Sequence, residues 1–217
     1  MKNQDKDFSA VSIQTLGRLP YYLNFIKSLD QDKYTSVSAP VIAKALNLNE
    51  VQVRKDLAAV SSNGGKPKTG FDIEELIKDL EEFLGYNNVD EAVLVGVGHL
   101  GSALLSYKGF ENYGLKIVVA FDQNEAVVGT HVGGKQVFPL EKLKDLCWRM
   151  GVNIGIITVP AEDAQEVSEL LVEAGILAIW NFAPVHLHVP DYVVVQNENL
   201  AASLAVLSKN LNEKLKV

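Results

Sequence analysis

The chain has 217 residues, 47% hydrophobic and 22% charged, a balance that supports a buried core and excludes a disordered chain. No apolar run reaches the roughly 18 residues a membrane helix needs, and the polar start MKNQDKDF lacks the apolar stretch of a secretory signal. The net charge is -7, but residues 1–71 hold ten Lys/Arg against six Asp/Glu, so +4 sits there and -11 in residues 72–217. Electrostatic affinity for a nucleic-acid backbone is thereby confined to the N-terminal part. A single cysteine, Cys147, excludes an internal disulfide and reads as a partly buried thiol in a helix. The cytoplasm is the expected compartment.

The first dozen residues read as a loose arm. Leu16, Leu19, Leu23, Ile26 and Leu29 lie on one face of a first helix, with Pro20 in its first turn. Ser38 caps a second helix, Ala39 to Ala45, with Pro40 near its start. After a turn at 47–49, a third helix runs from Asn49 or Glu50 to about Val60. Its inward residues are expected to be Val51, Val53, Leu57 and Val60, with Gln52, Arg54, Lys55 and Asp56 mostly outside. Two short helices joined by a tight turn form a helix-turn-helix. On its exposed face Arg54 and Lys55 suit phosphates or guanine edges, and Gln52 an adenine edge; the alternative is an ordinary solvated face. The glycine-rich stretch Ser61 to Gly70 reads as the wing of a winged helix or as a loose loop, and Lys66 and Lys68 suit phosphate contact. Arg18, Ser38, Gln52, Arg54, Lys55, Lys66 and Lys68 form the candidate DNA-binding set. Asp72 caps a fourth helix, Ile73 to Leu84, and Gly85 to Asn88 marks a domain boundary. The domains are expected at 1–86 (winged helix), 87–197 (Rossmann) and 198–217 (C-terminal helix).

Beyond Ala92, strands are expected at 92–97, 116–122, 136–138, 153–159, 178–182 and 192–196, with helices at 99–107, 139–150, 161–174 and 198–214. This alternation implies an α/β fold with a doubly wound, mostly parallel sheet. The first strand ends in Gly96-Val97-Gly98-His99-Leu100-Gly101, and Asp122 closes the next. That combination describes a dinucleotide site. Gly96 allows the tight turn, Gly98 lets backbone N–H groups approach a pyrophosphate, and Gly101 lets the helix pack on the sheet. Asp122 suits the ribose hydroxyls and repels a 2′-phosphate, favouring NAD+ and NADH over the phosphorylated forms. Thr158-Val159-Pro160 and Asn181-Phe182-Ala183-Pro184 end later strands, where a ligand crevice is expected. His99 faces either phosphates or solvent. His131 reads as a surface residue. His186 and His188 have no cysteine or carboxylate at ligand spacing, so no metal is expected.

At this point the chain resembles the Rex family of redox-sensing transcriptional repressors. The resemblance rests on Gly17-Arg-Leu-Pro-Tyr-Tyr22, Val51-Gln-Val-Arg-Lys-Asp-Leu57, Gly96 to Leu105, Tyr107-Lys-Gly-Phe110, Thr158-Val-Pro-Ala161 and Asn181-Phe-Ala-Pro-Val185, in order over residues 12 to 210. It implies a homodimer of winged-helix and Rossmann domains that represses genes of anaerobic and fermentative metabolism. It also implies release from operator DNA by NADH, with NAD+ competing without releasing. Gln52, Arg54 and Lys55 then lie on the recognition helix, and Arg18, Tyr107 and Asn199 fall at switch positions. The helix at 198–214 would be swapped between subunits. Two departures stand out. The wing, Ala58 to Gly70, is one residue longer than the family's aromatic-rich, basic version. Asn199-Leu200 replaces the usual Asp-Phe, and an Asn cannot form an ion pair with Arg18, so the switch is expected to be altered, weaker or carried by other groups. The competing readings are an NAD-dependent oxidoreductase, for which no His/Lys/Tyr set at recognisable spacing is visible, and a Rex-like DNA-binding protein with altered or lost NADH response.

Overall fold

The structure is a computed structural model that describes residues 11–30, 32–66 and 69–216. Residues 1–10, most of the sequence-predicted arm, and Lys68 lie outside the described residues. The chain divides into two compact units, Met1–Asn87 and Asn88–Val217.

The first unit contains α1 (Ile13–Lys27), β1 (Ser36–Val37), α2 (Ala39–Leu46), α3 (Glu50–Val60), β2 (Phe71–Asp72) and α4 (Ile73–Leu84). Three helices start on side-chain caps: Ser12 accepts from the Thr15 N–H, Asn49 from Gln52 and Asp72 from Glu75. The Ser12 cap starts α1 three residues earlier than the periodicity alone predicts. Pro20 therefore lies inside the helix, not in its first turn, and one backbone bond is lost there. Leu16 is 40% exposed, and Tyr22 takes an inward place beside Leu19, Leu23 and Ile26. On α3 two expectations are reversed: Val51 is exposed and Asp56 is buried. Ser38 stands at the N-cap of α2, but its hydroxyl makes no capping bond among the described residues. β1 and β2 pair antiparallel, and a bridge between Lys66 and Gly70 closes the wing as a short hairpin.

The second unit is built on β3 (Asp90–Val95), β4 (Leu115–Asp122), β5 (His131–Val132), β6 (Lys135–Pro139), β7 (Ile154–Ile157), β8 (Ala178–Asn181) and β9 (Val194–Asn197). Its helices are α5 (His99–Ser106), α6 (Leu143–Met150), α7 (Ala164–Glu173) and α8 (Leu200–Leu215), with 3-10 turns at Lys108–Tyr113 and Leu140–Lys142. The strand order is β5-β6-β4-β3-β7-β8-β9, parallel except for the β5–β6 hairpin. Both faces of the sheet are covered, so β3 is apolar without alternation. Val93 and Val95 join one core cluster with Leu143 and Leu171, while Ala92 and Leu94 join the other with Leu105. The strand order reverses at β3, whose neighbours are β4 and β7. A crevice is expected at the carboxyl ends of those strands. Cys147 is buried on α6, and burial pushes its thiol up to about 11. The last helix, α8, has no buried residue along its length.

Candidate functional site

β3 delivers the chain into a turn whose glycines are required by close approach. Gly96 sits at φ +99°, and a Cβ there would lie 2.7 Å from Val159 Cγ1. A Cβ on Gly101 would fall 1.9 Å from the Gly96 carbonyl oxygen. Gly98 is different: a Cβ there meets no described atom within 4 Å, so its bare backbone faces open space. Gly98 is also the N-cap of α5, whose first-turn N–H groups have no partner within the helix. These N–H groups and the helix dipole favour an anion. The Thr158 hydroxyl donates to the carbonyls of Gly96 (2.6 Å) and Val95 (3.1 Å), fixing the turn from the adjacent strand end. Asp122 Oδ2 accepts from the Val97 N–H at 2.6 Å and Oδ1 from the Asn124 N–H at 2.8 Å.

These elements enclose a cavity of about 270 Å³. Gly96, Val97, Gly98, Asp122, Thr158, Val159 and Pro160 line it together. Sequence reasoning missed Gln123 and Asn124, which follow Asp122, and Asp163 and Glu166 at the start of α7. Their position after the Thr158–Pro160 strand end was the available signal, since helices that follow sheet strands start at the crevice. The arrangement fits a dinucleotide: a bare turn for phosphates, a carboxylate at the neighbouring strand end and apolar walls at Val127, Leu140 and Val167.

The remaining candidates fall elsewhere. His99 and Leu100 are exposed on the first turn of α5, and Gly101 is buried beneath it. Asn181 is fully buried and its amide is committed internally. It donates to Ala183 O (3.2 Å), Val185 O (2.9 Å) and Asn197 Oδ1 (2.8 Å), and accepts from the Ala183 N–H (3.0 Å). It shapes the loop rather than presenting a free amide. Phe182 is half-buried with its ring centroid 4.8 Å from that of Trp180, and Pro184 is exposed. Tyr107, just past α5, is 53% exposed and meets Phe110 edge-on at 4.9 Å. Asn199 caps α8 by accepting from the Ala202 N–H. His131, His186 and His188 are exposed, and no group of three metal-ligating side chains occurs among the described residues.

In the first unit, Arg18 is engaged rather than free. Its Nε donates to Asp56 Oδ2 at 2.8 Å and its Nη2 to Oδ1 at 3.0 Å. Tyr22 and Thr15 donate their hydroxyls to the same carboxylate at 2.8 and 3.1 Å. Burial alone would raise the Asp56 pKa, but the Arg18 guanidinium and the two hydroxyls outweigh it and hold the carboxyl below the usual range. The hydrogen bonds that Arg18 donates to Asp56 in turn raise the pKa of the guanidinium. Burial, then the Asp56 anion, pushes the Tyr22 hydroxyl up to about 12. These partners are why a carboxylate on α3 turns inward. With its amide oxygen turned toward the guanidinium, Gln52 accepts from Arg18 Nη1 at 3.0 Å. Arg54, which pairs with Glu50, and Lys55 are exposed on α3. Ser38, Arg54 and Lys66 line one concavity bounded by α2, α3 and the wing.

Comparison with known proteins follows both units. Residues 10–58 match the family model "Putative DNA-binding protein N-terminus", and residues 87–185 match "CoA binding domain". A redox-sensing transcriptional repressor Rex of Bacteroides fragilis is 43% identical, over 96% of this chain and 94% of the relative. The Rex of Treponema denticola is 41% identical, over 92% and 95%. Among solved structures, RSP in complex with β-NAD+ and operator DNA superposes with a TM-score of 0.85 at 33% identity, over 94% of each chain. RSP in complex with β-NADH gives 0.82 at 33% identity, over 94% of this chain and 96% of the other.

Proposed function

The chain belongs to the Rex family of redox-sensing transcriptional repressors, and on that premise we propose that it binds operator DNA as a homodimer and leaves it when its Rossmann unit holds NADH. Transcription then follows the cellular NADH/NAD+ ratio, and the protein acts in the cytoplasm as a regulator rather than an enzyme. The observation that carries this reading is the joining, in one chain, of the glycine cavity with Asp122 to a helix-turn-helix that exposes Arg54 and Lys55. The solved relative RSP, captured with NAD+ and operator DNA and separately with NADH, supports it.

Gly96, Gly98 and the start of α5 would hold the pyrophosphate, and Asp122 the adenosine ribose. When bound, the nicotinamide supplies a ring that is cationic when oxidised and neutral when reduced. Only the neutral form enters apolar surroundings without a large desolvation cost. Phe182, half-buried, offers such surroundings beyond the cavity. On α8, Leu200, Leu204, Leu207, Leu211 and Leu215 recur at helical spacing and are 54–74% exposed. A stripe of that kind is stable only when covered, and a second copy of α8, exchanged between subunits, is the occupant we assign. Residue 199, which caps this helix, is an uncharged Asn, and Arg18 is paired with Asp56.

The test is operator affinity measured by fluorescence anisotropy, with a duplex selected by the protein itself, in NAD+ and in NADH. NADH should weaken binding about 5–150-fold, and by reciprocity DNA should weaken NADH binding by the same factor. Equal operator affinities in the two cofactors refute the reading.

A further inference from the structure

The switch described above needs a route from the cofactor to α8, and the second unit contains a connected one. Four aromatic rings run in sequence: Tyr107 to Phe110 at 4.9 Å, Phe110 to Trp180 at 5.6 Å, and Trp180 to Phe182 at 4.8 Å. The first two contacts are edge-on, the arrangement in which the positive edge of one ring meets the negative face of the next. The row does not end in the core. The indole N–H of Trp180 donates to Glu198 Oε1 at 2.9 Å. Glu198 is the residue before Asn199, the cap of α8. The next residue of β8 repeats the connection: Asn181 donates its amide to Asn197 Oδ1 at 2.8 Å, and its carbonyl accepts from the Glu198 N–H at 2.8 Å. Consecutive residues of β8 thus grip consecutive residues at the root of α8. The helix itself has no buried residue, so within this unit its direction is set at that root.

We propose that Trp180 and Glu198 are positioning residues that transmit occupancy of the space beside Phe182 to the root of α8. The proposal rests on the reading that this unit binds NADH. A ring placed beside Phe182 displaces Phe182 and the Trp180 ring in contact with it. The indole N–H then carries the shift to Glu198, and α8 reorients about Asn199. Residue 199 in this chain is an uncharged Asn that caps α8, and the pair carries the signal there. Trp180 itself touches the ring row and Glu198, and neither residue lines the glycine cavity.

The experiment uses the full-length protein and three variants. Trp180→Phe keeps a ring and removes the donor; Glu198→Ala removes the acceptor; Glu198→Gln keeps an acceptor oxygen. For each, three quantities are measured: NADH affinity by fluorescence titration, operator affinity in NAD+ and NADH, and hydrogen exchange of residues 196–203 without nucleotide. Trp180→Phe and Glu198→Ala should keep NADH affinity and NAD+-state operator affinity within about threefold, while the NADH-induced weakening falls to about twofold or less. Exchange at the α8 root should quicken in both, and the double variant should be no worse than either single one. Glu198→Gln should restore most of the response. Full NADH-induced release in either donor or acceptor variant overturns the proposal and leaves the repressor reading intact. A tenfold loss of NADH affinity in either also overturns it, because the pair would then belong to the ligand pocket. No NADH response in the wild type removes the repressor reading, and this proposal with it.

Discussion

Replacing Asp56 tests the reasoning about the first unit most directly. The carboxylate is 6% exposed and accepts four hydrogen bonds, two from Arg18 and one each from Tyr22 and Thr15. In Asp56→Ala the Tyr22 hydroxyl, on a side chain fully buried, loses its acceptor at a cost of about 1–3 kcal/mol. Breaking a buried ion pair from one side costs about 3–5 kcal/mol in total. The Arg18 side chain is 21% exposed and can turn partly to water, so the lower end, about 3 kcal/mol, applies. For a unit of this size that is a fall in Tm of about 12–24 °C. The assay is thermal unfolding of the full chain, with hydrogen exchange to locate the loss in α1 and α3. The pH dependence is a second check. Asp56 is depressed in the folded state, so its contribution is present above the ordinary carboxylate value near 3.9 and lost as pH falls through the folded value. The gap between wild type and variant should therefore be full at pH 7 and close below about pH 4. A Tm fall under about 4 °C, or a gap that persists unchanged into strong acid, refutes the account.

Four further outcomes follow from the geometry. Gly101→Ala places a methyl against the Gly96 carbonyl, so NADH affinity should drop at least tenfold by fluorescence titration. Lys55→Ala and Lys66→Ala should weaken binding to all duplexes alike and lower the salt dependence by about one unit each, measured as log affinity against log salt. Leu207→Glu or Leu211→Glu on the exposed stripe of α8 should shift sedimentation from dimer to monomer at micromolar concentration. Cys147, buried and with its thiol pushed up to about 11, should react with a thiol reagent only after denaturation.

The division between what was legible and what was not follows the range of the forces. Caps, turn glycines and apolar periodicity are local, and they located α2, α3, α4, β3, β4 and the glycine turn within a residue or two. Boundaries moved where local hydrogen bonds intervened: the Ser12 cap started α1 early and left Pro20 inside it, and a turn in which the Asp163 N–H donates to the Pro160 carbonyl precedes α7 at Ala164. The sequence by itself determined a parallel α/β sheet with a phosphate-type turn and an acid at the next strand end, because these are properties of contiguous segments. Only tertiary structure decided what each polar side chain does. Asp56 reads as solvated until Arg18, thirty-eight positions away, neutralises it. Asn181 reads as a ligand contact until Ala183, Val185 and Asn197 consume its amide. Trp180 and Glu198 carry no motif, yet β8 and β9 pair in a register that brings indole to carboxylate. A buried polar group must find a partner, and the identity of that partner is fixed by the path of the folded chain, which spacing along a sequence does not encode.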